Sequence, residues 1–228
     1  MGESAERKDI DTVTAKERAA EKKRIRLAAL AGRDSLTAEQ RRDYSDRIVK
    51  NLTNLPCYQH ADAILTYVSF RSEVDTFPLM ERAFADGKAV FAPKVSGKEM
   101  DFFRIYSSAD LTAGYHGILE PSSEYSYDEW ADDQIGQCIL ICMPGAAFDR
   151  MRHRIGYGGG FYDRFLSGLS GRGEKTAGTA HSRVKATTAA LAFDCQIFEA
   201  IPWEAHDIRP EWIITEKEKV SENGKGQN

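Results

Sequence analysis

CILICMPGAAFDRMRHRIGYGGGFYDRFL, residues 138–166, is the stretch that decides how this chain is built. Its opening, Cys138 to Pro144, is a short continuous apolar run, the pattern of a strand buried on both faces. Four of the five residues from Gly156 to Gly160 are glycine, and Phe161-Tyr162-Asp163-Arg164-Phe165-Leu166 then reads as the start of a helix. Strand, glycine-rich loop and helix form the βα unit of a parallel sheet. Such a loop lets backbone N–H groups converge on an anion, and the following helix adds its positive end. A tight turn that binds nothing has the same composition, so both readings stand at this point. Two phosphate fingerprints fail: G-x-G-x-x-G would need glycine where Phe161 stands, and in the Gly168–Gly173 segment Glu174 precedes Lys175-Thr176.

Working outward, the pattern repeats. ADAILTYVSF (61–70), KAVFAPKV (88–95, stopped near Pro93) and MDFFRI (100–105) read as strands, with a helix from about Phe77 to Asp86 between the first two. TTAALAF (187–193) and EWIIT (211–215) are late strands, residues 107–134 are irregular, and SGLSGRGEKTAG (167–178) is an exposed loop. Two capping boxes, Thr14 to Glu17 and Thr37 to Gln40, open helices expected to reach Gly32 and about Leu52. Together these predict a three-layer, Rossmann-like α/β domain over residues 14–216, its largely parallel central sheet flanked by helices. Residues 1–13 are expected to be disordered and 217–228 a polar tail. In open sheets of this kind, ligands bind at the carboxyl ends of the strands.

The bulk properties narrow the partners. The 228 residues are 42% hydrophobic, enough for a substantial core, and the net charge of −4 argues against nucleic acid or an acidic membrane as partner. The first twenty residues are polar, and no apolar run approaches the roughly 18 residues of a membrane span. Cys57, Cys138, Cys142 and Cys195 form no C-x-x-C pair and read as thiols of a reduced, cytoplasmic protein.

Several side chains carry chemistry of their own. Lys22 and Arg26 share a helix face and can reach one phosphate; with Lys16, Arg18, Lys23, Arg24 and Arg33 around them, they equally suit a solvated basic face. Arg152 and Arg154 bring charge to the glycine loop, and Asp163 could hold a divalent metal that bridges phosphates. Glu73 follows a strand and could accept from substrate N–H groups, or be an ordinary loop carboxylate with Thr76 or Asp75 capping the next helix. Asp207, beside His206, is a candidate metal ligand of low specificity.

In combination and in order, these pieces resemble the 5-formyltetrahydrofolate cyclo-ligase (methenyltetrahydrofolate synthetase) family over about residues 20–216. The resemblance is carried by Lys22 and Arg26, Arg33-Asp34-Ser35-Leu36, Ser45, Tyr67-Val68-Ser69, Glu73-Val74-Asp75-Thr76 and Gly117-Ile118-Leu119-Glu120-Pro121. Pro144 to Asp149, Arg154 to Arg164, Ala192-Phe193-Asp194, Gln196, Ile201-Pro202 and His206-Asp207 complete it. It implies conversion of 5-formyltetrahydrofolate to 5,10-methenyltetrahydrofolate with ATP as co-substrate and Mg²⁺ as cofactor, in a monomer or weak homodimer. A non-catalytic folate- or nucleotide-binding module on the same fold is the alternative. By the same resemblance, Lys22, Lys23, Arg24, Ile25 and Arg26, with Arg154, Ile155, Gly156, Tyr157, Gly158, Gly159, Gly160, Phe161 and Tyr162, bind ATP. Of these, Lys22, Arg26, Arg154 and Tyr162 take the catalytic roles. Val68, Glu73 and Tyr157 to Phe161 contact the folate, and Asp163 and Asp207 hold the metal. Some family members carry Arg where this chain has Tyr157, or Lys where it has Gly159, so charge at the transferring phosphoryl is expected from Arg154 or Arg152.

Overall fold

The computed structural model describes residues 14–132, 137–175, 185–204, 207–222 and 224–225. Both capping boxes form: Thr14 with Glu17 opens α1 (Ala15–Asp34), and Thr37 with Gln40 opens α2 (Ala38–Thr53). The expected stop at Gly32 is overrun, and Ser35 caps α1 instead. Arg33 Nε donates to Ser72 Oγ at 3.0 Å and the Ser72 hydroxyl donates to Asp34, so tertiary bonds hold the last helical residues. The chain continues through α3 (Pro56–Gln59), β1 (Ala63–Thr66), α4 (Phe77–Ala85), β2 (Ala89–Ser96) and β3 (Glu99–Ile105). Next come β4 (Leu111–Ala113), β5 (Leu119–Pro121), α5 (Tyr127–Asp132), β6 (Cys138–Met143), β7 (Ala147–Asp149) and β8 (Arg154–Ile155). Then follow α6 (Phe161–Lys175), β9 (Lys185–Leu191), β10 (Ile197–Phe198), β11 (Trp212–Ile214), β12 (Lys219–Ser221) and β13 (Gly224–Lys225).

The described strands build an eight-stranded sheet in the order β13-β12-β11-β9-β6-β1-β2-β3. Its middle, β11-β9-β6-β1-β2, is parallel, and both edges are antiparallel. The apolar run at 138–144 is a central strand, paired on one side with β1 and on the other with β9. Leu65, Phe91, Ile141 and Met143 are fully buried in the main core. Cys142 is packed there too, where burial pushes its thiol pKa up, and all four cysteines are free.

Four expectations need correction. The strand read over 88–95 does not stop at Pro93 but pairs with β3 as far as Ser96. Pairing with β1 has ended at Phe91, so the proline sits where its missing N–H breaks no second ladder. The loop read over 167–178 is helical to Lys175, because Phe165, Leu166 and Leu169 bury one face on the core and outweigh the glycines; residues 176–184 lie outside the described set. The irregular stretch 107–134 contains the β4–β5 ribbon and α5. The polar tail expected from residue 217 is not what the described residues show: Lys219–Ser221 is held in β12, with Val220 buried against Ile213. The N-terminal segment 1–13 is outside the described residues, and among those described no helix is long and apolar enough to cross a membrane.

The connectivity places the site. From β1 the chain moves to β2 on one side, then returns to β6 on the other, so strand order reverses between β1 and β6. Loops leaving adjacent strands at such a point diverge and open a crevice at the carboxyl edge. Thr66 pairs with Cys142, which sets the loops starting at Tyr67 and Pro144 side by side.

Ile141 is fully buried in this central strand. Ile141→Ala is expected to cost about 2–5 kcal/mol of unfolding free energy, read from urea denaturation midpoints.

Candidate active site

The loop after β1 is held by its own side chains. The Thr76 hydroxyl donates to the Tyr67 carbonyl at 2.8 Å and accepts from Ser69 N at 3.1 Å. That leaves Asp75 to cap α4, its Oδ1 accepting from Phe77 N at 3.0 Å. Buried Ser45 of α2 accepts from Asp75 N at 2.9 Å. The result is a tight turn in which Phe70 N donates to Glu73 Oε2 at 2.9 Å and Arg71 adopts φ +57°.

The loop after β6 is anchored more deeply. Buried Gln196 donates through Nε2 to the carbonyls of Gly145 (2.8 Å) and Ala146 (2.9 Å), which fixes the exit from the strand. Asp149 then closes the β7–β8 hairpin, accepting from His153 N at 2.9 Å and Ile201 N at 3.2 Å and pairing with His153 Nδ1 at 2.8 Å. From this hairpin Arg154 points inward and donates to Asp163 Oδ1 at 2.8 Å. Gly158 and Gly160 take φ of +101° and +65°, conformations that side chains resist, and α6 begins immediately after them. The first N–H groups of a helix have no intrahelical acceptors, so this corner of the loop favours an anion.

Helix α1 lies against both loops. Ile25 and Ala29 pack with Ala147, Ile155 and Ile201, and the cations beside that seam meet polar partners. Lys22 Nζ is 2.8 Å from Asp207 Oδ2 and 3.0 Å from Glu204 Oε2. Burial works against the Lys22 charge, but the hydrogen bonds to Asp207 and Glu204 outweigh it, and its pKa is raised. Arg26 Nε donates to the Gly156 carbonyl at 2.9 Å. Arg33 Nη1 donates to the Tyr157 hydroxyl at 2.5 Å, and that hydroxyl donates to the Gly145 carbonyl at 3.4 Å.

These loops and α1 enclose a cleft of about 800 Å³. Lys22, Arg26, Val68, Glu73, Arg154, Ile155, the residues from Gly156 to Tyr162, Asp163 and Asp207 all line it. Lys23 and Arg24 do not: they are exposed on another face of α1, where Arg24 pairs with Glu21 at 2.6 Å. Ile25 is buried beneath the helix. A contiguous run along a helix cannot present every residue to one side, so the expected 22–26 segment is represented by Lys22 and Arg26. Arg152 is also turned away, donating to the Pro210 carbonyl at 3.0 Å and pairing with Glu222 at 3.4 Å. His206 lies outside the described residues. Among the liners to which sequence reasoning gave no role in the site are Arg33, Glu204 and Tyr115. Arg33 had a signal, since it falls seven residues after Arg26 on the same helical face; the segment holding Glu204 reaches the cleft only through tertiary structure.

The cleft has two chemically distinct ends. At one, the carboxylates of Asp163, Asp207 and Glu204 alternate with Arg154 and Lys22 beside the glycine loop. The described residues hold no cluster of three metal-binding side chains. Two carboxylates beside a phosphate-sized anion cradle nevertheless fit Mg²⁺, which takes one or two protein oxygens and completes its shell with phosphate and water. At the other end, the lining includes the exposed rings of Tyr157 and Tyr115, with Glu73 and buried Val68. Burial pushes the Glu73 pKa above its ordinary value, partly offset by Tyr157, the Phe70 N–H and Arg33. Tyr162 packs across Phe102 in the core, its hydroxyl buried without a hydrogen-bond partner among the described residues and burial holding its pKa well up.

Comparison with known proteins follows the same lines. The model of the 5-formyltetrahydrofolate cyclo-ligase family matches residues 18–216. A 5-formyltetrahydrofolate cyclo-ligase from Mus musculus is 28% identical over 196 residues, covering 82% of this chain and 89% of the relative. One from Escherichia coli K12 is 28% identical over 186 residues, covering 80% and 93% respectively. The NMR structure of 5,10-methenyltetrahydrofolate synthetase from Aquifex aeolicus superposes with a TM-score of 0.70 at 30% identity, over 91% of this chain and 96% of that one. A 5,10-methenyltetrahydrofolate synthetase from Mycoplasma pneumoniae shares the fold, with a TM-score of 0.60 at 18% identity, over 86% of this chain and 98% of that one.

The raised pKa of Glu73 has a thermodynamic consequence. The folded chain holds this proton to a higher pH than the unfolded one, whose carboxyl titrates near 4.5. The linked stability is therefore present below that value and lost as pH rises through the raised one. Glu73→Gln is expected to gain stability relative to the parent chain as pH is raised toward neutrality, measured by urea midpoints across a pH series; a gap that stays constant contradicts this.

Proposed function

The chain belongs to the 5-formyltetrahydrofolate cyclo-ligase family, and on that premise we propose that it is a ligase converting 5-formyltetrahydrofolate and ATP to 5,10-methenyltetrahydrofolate, ADP and phosphate. The observation that carries the reading is the two-ended cleft at the β1/β6 reversal, with a charge-rich phosphate end and a pterin end lined by the rings of Tyr157 and Tyr115.

The chemistry explains why both ends are needed. A formamide oxygen is a poor leaving group. Its attack on the γ-phosphorus of ATP expels ADP and leaves a phosphate ester on the former formyl oxygen. N10 then adds to the activated carbon, its proton is lost, and phosphate departs as the ring closes. Little of this demands covalent help from the protein, whose work is positioning and charge neutralisation.

Lys22 and Arg26 bind the phosphates from the α1 side, and the Gly156–Gly160 backbone with the start of α6 receives them from the other. Arg154, fixed by Asp163 and nearly excluded from solvent, adds a preorganised positive charge at the transferring phosphoryl. Asp163 and Asp207 would hold Mg²⁺, which would supply neutralisation of phosphate charge there. Glu73 accepts from pterin N–H groups, and Val68 and Tyr157 pack against the ring, while the Tyr162 hydroxyl is buried in the core and takes no part at the substrates. The buried side-chain bonds of both loops exclude water that would compete with the formyl oxygen for the phosphoryl group.

The direct test mixes protein, 5-formyltetrahydrofolate and Mg-ATP and follows methenyl absorbance. An ATP-dependent rise is expected; binding of both ligands without turnover identifies a non-catalytic binding module instead. Asp163→Asn keeps an acceptor for Arg154, so it is expected to stay folded by circular dichroism. Its turnover should fall by about 100-fold, the scale of removing one electrostatic contact at a reacting centre.

A further inference from the structure

The two loops that form the cleft leave different strands, yet one side chain of α1 reaches both. Arg33 is only 5% exposed. Its Nε donates to Ser72 Oγ at 3.0 Å, next in sequence to Glu73, and its Nη1 donates to the Tyr157 hydroxyl at 2.5 Å. Tyr157 belongs to the glycine loop, and its hydroxyl donates on to the Gly145 carbonyl at 3.4 Å, so Arg33 itself joins this loop to the loop of Ser72 and Glu73. The tyrosine ring itself is 45% exposed, so it is the polar tip, not the body, that is locked. Arg26, two helical turns earlier on the same helix, holds the neighbouring Gly156 carbonyl at 2.9 Å.

We propose that Arg33 is a positioning residue: through Tyr157 and Ser72 it ties the phosphate-side loop to the Glu73 loop, so that nucleotide and folate bind cooperatively. The planar guanidinium spans two acceptors at fixed geometry, which a lysine ammonium on a flexible stem does not reproduce. A ligand that orders one loop thereby removes part of the ordering cost for a ligand of the other, and linkage makes the effect reciprocal. Arg33 need not touch either substrate for this. The inference rests on the proposed function for the identity of the two ligands.

The test is calorimetric titration of 5-formyltetrahydrofolate and of a non-hydrolysable Mg-ATP analogue, each alone and in the presence of the other. In the parent chain each ligand is expected to tighten the other's Kd by about fivefold or more. In Ser72→Ala, which removes Arg33's acceptor on the Glu73 loop and has no assigned ligand contact, that factor should fall close to one. The Kd values for the single ligands should move by less than the factor lost. Arg33→Ala should behave the same way, and Arg33→Lys should not restore coupling. A merely structural role would weaken both ligands and leave the factor intact. Undiminished coupling in Ser72→Ala and Arg33→Ala, or none in a parent chain that binds both ligands, overturns the inference alone. A parent chain that binds neither ligand overturns the functional reading, and this inference with it.

Discussion

The cleft exists because a helix with little apolar surface is docked by its charges. Only Ile25, Ala29 and Arg33 of α1 are buried, a narrow stripe for twenty residues. Lys22, Arg26 and Arg33 supply the rest of the attachment, each meeting acceptors from a different part of the chain. The arrangement is reciprocal. Asp207 and Glu204 converge on Lys22, so their mutual repulsion is compensated there, and the glycine loop gains two fixed points at Gly156 and Tyr157. Charges taken partly out of water need such partners, and the same partners are the groups that a phosphate chain and a cation would engage.

Behind this polar layer the sheet does the placing. β1 and β6 are adjacent and parallel, and the path of the chain reverses between them. Their loops must therefore separate, and the space between them is the cleft. Buried hydrogen bonds keep each loop in one conformation: Thr76, Ser45 and Asp75 on one side, Gln196 and Asp149 on the other. Groups that must meet a transferring phosphoryl in fixed orientation gain most from such support, because reorganisation would otherwise add to the barrier.

Much of this was legible in the chain, through local rules. The capping boxes at Thr14 and Thr37 depend on residues three apart and formed as read. The apolar run at 138–144 could only be a strand covered on both sides, and it is central in the sheet. The helix periodicity already put Lys22 and Arg26 on one face. What failed was what local rules do not contain. Arg33 read as part of a solvated basic face because nothing nearby in sequence reveals Ser72 and Tyr157 as its partners. Residues 167–175 read as a loop because glycine lowers helix propensity, while the burial of Phe165, Leu166 and Leu169 that opposes it is a property of the packed core. From the residues alone Arg152 and Arg154 were indistinguishable as neighbours of the glycine loop, and only the family resemblance singled out Arg154 for the site. The β7–β8 hairpin sends Arg154 to Asp163 and leaves Arg152 on the Pro210 carbonyl.

The amino-acid sequence alone determined the α/β class, the strand–glycine loop–helix unit, the basic face of the first helix and, through ordered motifs, the family. These rest on periodicity, capping and short-range spacing, which a chain carries in its own order. Tertiary structure alone decided that Lys22 meets Glu204 and Asp207, that Arg154 rather than Arg152 enters the cleft, and that Arg33 joins two loops. The Lys22 and Arg33 contacts join residues 39 to 185 positions apart, and the course of Arg154 is set by the β7–β8 hairpin. Their partners are set by which strands lie side by side, and strand order is a consequence of the whole core packing at once.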